Sequence, residues 1–162
     1  MYYEDILRAF HRARVRYLIA GGVAVNLYGV PRFTRDLDIL IDPSPLNLKK
    51  LERVLRRLGY RPRAPVRLEE FLHRDNWKRW KREKGMLAFS LHHPDRPYEE
   101  VDLLTDPPFT FTHAEKHGIT LRQGNFRLRL VGLDDLMRMK RKAGRAQDLA
   151  DIESLSKVRR LR

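Results

Sequence analysis

The sequence contains no cysteine. That absence excludes a disulfide framework, a thiol nucleophile and a thiolate metal site. It has few Asn and Gln, and no run approaches the ~20 apolar residues that a bilayer-crossing helix needs. The N-terminal stretch MYYEDILRAFHRARVRYLIA lacks the unbroken apolar region and cleavage site of a signal peptide. Together these absences lead us to expect a cytoplasmic protein without membrane contact. Acid is also in short supply: 21 Asp and Glu face 34 Lys and Arg, for a net charge of +13 and a pI near 10.5. Such an excess attracts polyanions such as RNA, DNA or nucleotides. A solvated, heat-tolerant surface, poor in Asn and Gln and rich in Arg, gives the same count, so charge alone does not name a partner.

What is present fits one ordinary domain: 162 residues, 42% of them hydrophobic. The stretch EDILRAFHRARV places Ile6, Leu7 and Phe10 at helical spacing. RYLIA reads as a short buried strand ending at Gly21-Gly22, and GVAVNLYG as a short helix closed by Gly29 and Pro31. DLDILID alternates with the period of a strand: Asp36, Asp38, Leu40 and Asp42 fall on one face, Leu37, Ile39 and Ile41 on the other. PSPLNLKKLERVLRRLG is an amphipathic helix with Ser44 or Pro45 near its start and Gly59 at its end. From Tyr60 to Gly85 the pattern is poor, with helix only in part. MLAFSLHH and YEEVDLLT then read as paired antiparallel strands around PDRP, and ITLRQGNFRLRLV as a hairpin about Gly124-Asn125. Two helices follow, LDDLMRMKRKAG and AQDLADIESLSKV. The expectation is a single α/β domain over residues 1–162, with a core at about 16–132 and a helical C-terminal part at about 133–162.

The polar residues of GGVAVNLYGVPRFTRDLDILID, Gly21 to Asp42, serve no core. Asp36 and Asp38, two apart on a strand, project together. Carboxylates that close repel unless a proton or cation lies between them. Magnesium is hard and prefers oxygen, and a pair of such ions suits phosphoryl chemistry. Gly21 and Gly22 lack Cβ atoms and open a helix, where bare backbone and N–H groups admit a phosphate. Arg32, Thr34 and Arg35 on the intervening loop are placed to steady a triphosphate. Asp102, embedded in the apolar strand EEVDLL, is expensive to bury without a partner such as a metal, and it is a candidate acceptor for the proton of an attacking hydroxyl. Each element alone has a plainer reading, as exposed acids or a turn; their order along the chain favours a site.

GGVAVNLYG, RFTRDLDILID and VDLL resemble the nucleotidyltransferase superfamily of polymerase-beta-like fold. Within it the chain is most similar to small AbiEii-type toxin and minimal nucleotidyltransferases. The likeness resumes at GLDDLMRMKRKAGRAQDLADIESL and skips Tyr60 to Gly85. It implies a short mixed sheet flanked by helices, in an α/β (α+β) arrangement. Asp36, Asp38 and Asp102 would bind two Mg2+ ions, with Asp102 helping to activate the acceptor. Gly21 and Gly22 would cradle the phosphates of an NTP, Lys140 would reach them, and Asp148 with nearby Arg145 would belong to the closing motif. An acceptor hydroxyl on RNA, including a tRNA 3′ end, or on a partner toxin or antitoxin protein would attack the α-phosphate and release pyrophosphate. The chain departs from the pattern after the first glycine. Superfamily members often carry Ser there, and toxin-type members Thr after the pair, whereas this chain has Gly22 and Val23.

Apart from that resemblance, the two C-terminal helices read as a solvated pair with Leu149, Ile152 and Leu155 as the core stripe. NWKRWKREKG interleaves Trp77 and Trp80 with Lys78, Arg79, Lys81, Arg82 and Lys84. That pattern fits either bases stacked on aromatics beside tracked phosphates or two core tryptophans on a helix with a wet face. His113 and His117 have the i, i+4 spacing of zinc ligands on a helix. They read as a surface pair, because no Cys or nearby acid pair completes a site. Two further functions compete with catalysis. One is a non-catalytic module that keeps the fold and binds nucleic acid or a partner. The other is a helix-turn-helix, disfavoured because the second C-terminal helix is acidic.

Overall fold

The computed structural model describes residues 3–161. Among them the chain runs α1 (Glu4–Arg12), β1 (Tyr17–Ile19), α2 (Gly21–Leu27), β2 (Asp36–Ile41), α3 (Pro45–Leu58) and β3 (Arg61–Pro62). A 3-10 turn at Leu68–Leu72 leads into α4 (Arg74–Lys84), then β4 (Ala88–His93), β5 (Arg96–Leu104) and α5 (Phe111–His117). The chain ends with β6 (Ile119–Gln123), β7 (Phe126–Leu130), α6 (Leu133–Ala143) and α7 (Ala146–Arg160). The described strands form one seven-stranded sheet, ordered β3-β4-β5-β2-β1-β7-β6. The β2–β5 and β1–β7 pairs are parallel and the others antiparallel. The mixed sheet flanked by helices is therefore present. No helix among the described residues is long and apolar enough to cross a membrane.

Local chemistry explains most boundaries. Pro45 takes the first turn of α3, where a missing N–H costs nothing, and Gly59 closes that helix at a φ of +84°. The strict alternation of β2 sends Leu37, Ile39 and Ile41 into the core and leaves Asp36 and Asp38 partly exposed on the opposite face. Ile6, Leu7 and Phe10 are the buried stripe of α1, as their spacing predicts. Between Tyr60 and Gly85 the elements are short, which is why no long period shows there: β3 is a two-residue edge strand, Arg61–Pro62, and a 3-10 turn precedes α4.

The tryptophans of α4 belong to the core. Trp77 and Trp80 are buried, and their rings stack on Phe71 at 4.7 Å and on Phe89 at 5.3 Å. The Trp77 indole N–H donates to the Phe71 carbonyl at 2.9 Å. This corrects the base-stacking reading of the two rings. Lys78, Arg79, Lys81, Arg82 and Lys84 do face water, so the helix keeps a cationic outer face. Trp80→Ala is expected to cost about 3–5 kcal/mol of stability, as deletion of a fully buried aromatic does. Urea unfolding measures it, and a loss below about 1 kcal/mol would contradict the packing.

The C-terminal helices also depart from the sequence expectation. Leu149 is exposed, and the buried residues of α7 are Asp148, Asp151 and Leu155. The helix thus turns acid inward, against Lys140 of α6.

Candidate active site

Sheet register brings the three aspartates together. β2 and β5 run parallel with Asp38 opposite Asp102 and Asp36 opposite Glu100. Partners across a ladder point to the same face of the sheet. Asp36, Asp38 and Asp102 therefore share one wall of a cleft of about 300 Å³. Asp36 Oδ1 and Asp102 Oδ1 are buried and have no hydrogen-bond partner. Burial pushes Asp38 up to about 6, and the Asp102 and Asp36 carboxylates add to it; Lys140 and a hydrogen bond from the Gly22 backbone pull it back. Burial, with Glu100 and Asp102, also raises Asp36. Burial and Glu100 raise Asp102 against a hydrogen bond from Ser90. Orphaned carboxylate oxygens beside mutually repelling acids are what a hard divalent cation satisfies, so the donor set fits magnesium.

The glycines make room for this constellation. Gly21 has a φ of +59°, and a Cβ there would lie 1.7 Å from Asp38 Oδ2. The carboxylate thus rests on the bare backbone. A Cβ on Gly22 would lie 2.3 Å from Thr34 Oγ1. The space that a side chain after the first glycine would take is filled by a hydroxyl from the 30–35 loop. Thr34 thus sets a hydroxyl beside the position after the first glycine, where the sequence itself has none.

The facing wall is cationic and comes from α6 and the start of α7. Lys140, Lys142 and Arg145 line it, with Asp148. Lys140 is only 5% exposed, and its Nζ lies 3.1 Å from Asp148 Oδ1 and 2.9 Å from Asp151 Oδ2. Arg32 reaches across from the loop to Asp151, and Arg145 Nε donates to Asp148 at 2.7 Å. Burial alone would raise both carboxyls. Hydrogen bonds from Arg145 and Lys140 to Asp148, and from Lys140 and Gln147 to Asp151, outweigh it and hold both below the usual carboxylate range. At the mouth, Asp106 accepts from Lys81 and Lys142, each at 2.8 Å.

The cleft thus gathers Gly21, Gly22, Arg32, Thr34, Asp36, Asp38, Asp102, Lys140, Arg145 and Asp148. It does not gather Arg35, whose Nη2 donates to the Pro97 carbonyl at 3.1 Å. Trp77 and Trp80 are likewise absent from its lining, whereas Lys81 touches its rim through Asp106. Sequence reasoning missed Asp151, Lys142 and Asp106. Asp151 follows Asp148 at the i, i+3 spacing that shares a helix face, which was the available signal. Elsewhere, Asp135 meets the His113–His117 pair that lacked an acid in the sequence.

Acids on the central strands thus share a cleft with cations from α6 and the turn before α7. The solved lincosamide antibiotic adenylyltransferase LnuA, lincomycin-bound, has the same fold. Its TM-score is 0.63 at 17% identity, over 95% of this chain and 94% of that one. ANT(2")-Ia, in complex with adenylyl-2"-tobramycin, matches with a TM-score of 0.59 at 14% identity, over 99% of this chain and 94% of that one. No curated protein matches by sequence. The fold is that of a nucleotidyltransferase. A family model described as "Nucleotidyl transferase AbiEii toxin, Type IV TA system" matches residues 5–159. The chain belongs to this AbiEii family of toxin nucleotidyltransferases.

Proposed function

We propose that the protein transfers a nucleoside monophosphate from an NTP to a hydroxyl of RNA, with a tRNA 3′ end as one such acceptor. The observation that carries the reading is the register of Asp38 beside Asp102, with two acid oxygens left without a hydrogen-bond partner and Lys140 lining the same cleft. Asp36, Asp38 and Asp102 would hold two Mg2+ ions. When bound, magnesium offsets charge on the entering and leaving oxygens of an in-line displacement.

The chain's own residues do the rest. The triphosphate lies between the Gly21-Gly22 turn and α6, where Lys140, Lys142 and Arg145 balance its charge. Thr34 Oγ1, seated above Gly22, offers it a neutral donor. Asp102, with its carboxyl raised by burial, takes the proton of the acceptor hydroxyl. The hydroxyl oxygen bonds to the α-phosphorus, the bond to the bridging oxygen breaks, and pyrophosphate leaves. The pairs from Lys140 to Asp148 and Asp151 fix the ammonium in place before the nucleotide arrives, so little reorganisation remains for the reaction.

RNA is the favoured acceptor because the net charge is +13 and the cationic face of α4 adjoins the cleft mouth through Lys81 and Asp106. Incubation with each labelled NTP, magnesium and total RNA should label RNA, release pyrophosphate and stop on chelation. Binding of single-stranded RNA should weaken with salt at a log–log slope of about −3, as about four phosphate contacts by Lys78, Arg79, Arg82 and Lys84 require. A flat salt response, or label entering only a protein band, would refute the RNA reading.

A further inference from the structure

We infer a second metal site, separate from the aspartate cleft, in which His113, His117 and Asp135 bind Zn2+ or a similar borderline transition-metal ion. Ligand atoms of the three residues lie within 4.8 Å of one another. His113 Nε2 is 2.9 Å from Asp135 Oδ1. Ligands held at ~2.0–2.1 Å around a tetrahedral zinc are themselves roughly 3.3 Å apart, so the separations straddle what one ion needs. None of the three residues lines the cleft of Asp36, Asp38 and Asp102.

Two details point to a ligand rather than to a plain His–Asp pair. Asp135 is 7% exposed, and its Oδ2 is buried without a hydrogen-bond partner. The pair with His113 uses Oδ1 and leaves Oδ2 desolvated; an ion beside the histidines that engages both carboxylate oxygens satisfies it. His117 Nδ1 lies 2.9 Å from the His113 carbonyl. With Nδ1–H donating there, the His117 Nε2 lone pair is free to ligate, the outer hydrogen bond fixing the tautomer as in known zinc sites.

The fold preforms the site. His113 and His117 stand four apart on α5, and Asp135 lies in the first turn of α6. The two segments pack so closely that a Cβ on Gly132 would lie 2.4 Å from the His117 carbonyl oxygen. Phe109 covers His113 on one side, with ring centroids 5.4 Å apart, while exposed His117 leaves room for water as a further ligand. Two imidazoles and a carboxylate, without thiolate, select Zn2+, Co2+ or Ni2+ over Mg2+. A bound ion pins α5 to the helix that carries Lys140.

The full-length chain is titrated with Co2+ and Zn2+ by visible absorption and calorimetry. The Asp36→Asn/Asp102→Asn variant serves to remove the cleft as a competing site. We expect one equivalent bound with the absorption bands of nitrogen-ligated Co2+ in that variant. Zn2+ near 100-fold above its Kd should raise Tm by roughly 5 °C. His117→Ala, a change at an exposed position, should abolish both effects while the far-ultraviolet dichroism stays unchanged, and Asp135→Asn should weaken binding at least ~10-fold. Binding that survives His117→Ala, that disappears in Asp36→Asn/Asp102→Asn, or that fails in the folded parent overturns the site.

Discussion

Replacing Asp38 by Asn is expected to lower nucleotidyl transfer by about 10³-fold or more while making the protein harder to unfold. The first half follows from geometry. Asp38 sits between Asp36 on its own strand and Asp102 on the next, with its carboxylate on Gly21. The amide has nearly the same shape but no charge, so it cannot help neutralise a divalent ion. A lost electrostatic contact of this kind costs about 4 kcal/mol of transition-state stabilisation. The second half follows from repulsion. Half-buried acids on neighbouring strands oppose each other in the folded chain and separate on unfolding. Asn removes one of them, so in chelator-treated buffer Tm should rise by roughly 3 °C. Single-turnover label transfer and a thermal melt test the two halves independently. Full activity would remove Asp38 from the chemistry, whereas lost activity with a lowered Tm would mean that Asp38 chiefly holds the fold.

Part of this site was open to view in the primary structure. A strand's period of two makes Asp36 and Asp38 neighbours whatever the rest of the chain does, and Asp102 betrays itself as a charge among Val101, Leu103 and Leu104. That Asp102 faces Asp38 rather than Asp36 depends on the β2–β5 register, which no local pattern encodes. Other features lie in contacts between distant segments. Thr34 fills the space above Gly22 because a loop folds back over the helix it follows. The tryptophans of α4 turn inward because Phe71 and Phe89 supply a ring-sized pocket. Asp135 reaches the α5 histidines only because the β6–β7 hairpin returns the chain to them. Leu149 lies outside for a single reason: apolar spacing alone would turn it inward on α7, yet a buried lysine needs acids more than α7 needs leucine.

That lysine supports the last prediction. Lys140 is 5% exposed and holds Asp148 and Asp151, each no more than 2% exposed. Lys140→Met keeps the volume and removes the charge. Two buried carboxylates are then left with Arg32, Arg145 and the neutral Gln147 amide, and Arg145 is largely in water. Breaking a buried ion pair from one side costs about 3–5 kcal/mol. The pH dependence should reverse as well. In the parent, Asp148 and Asp151 have lowered pKa values. Their stabilisation is present above the unfolded carboxyl value near 4 and is lost as pH falls through the lowered folded values. In Lys140→Met, burial raises the carboxyls with less to oppose it. The variant is then weakest at neutral pH and recovers as pH falls towards 5. Adding Asp148→Asn and Asp151→Asn should restore most of the stability at pH 7, because the acids that Lys140 neutralised are gone. It should not restore nucleotidyl transfer if Lys140 also balances the triphosphate. Urea unfolding between pH 4 and pH 8, with label transfer on the same samples, separates the two roles. A triple variant that regains both stability and activity would reduce Lys140 to a structural ion. One that regains stability alone, where Asp148→Asn/Asp151→Asn with Lys140 intact stays active, keeps the ammonium itself in the chemistry of the cleft.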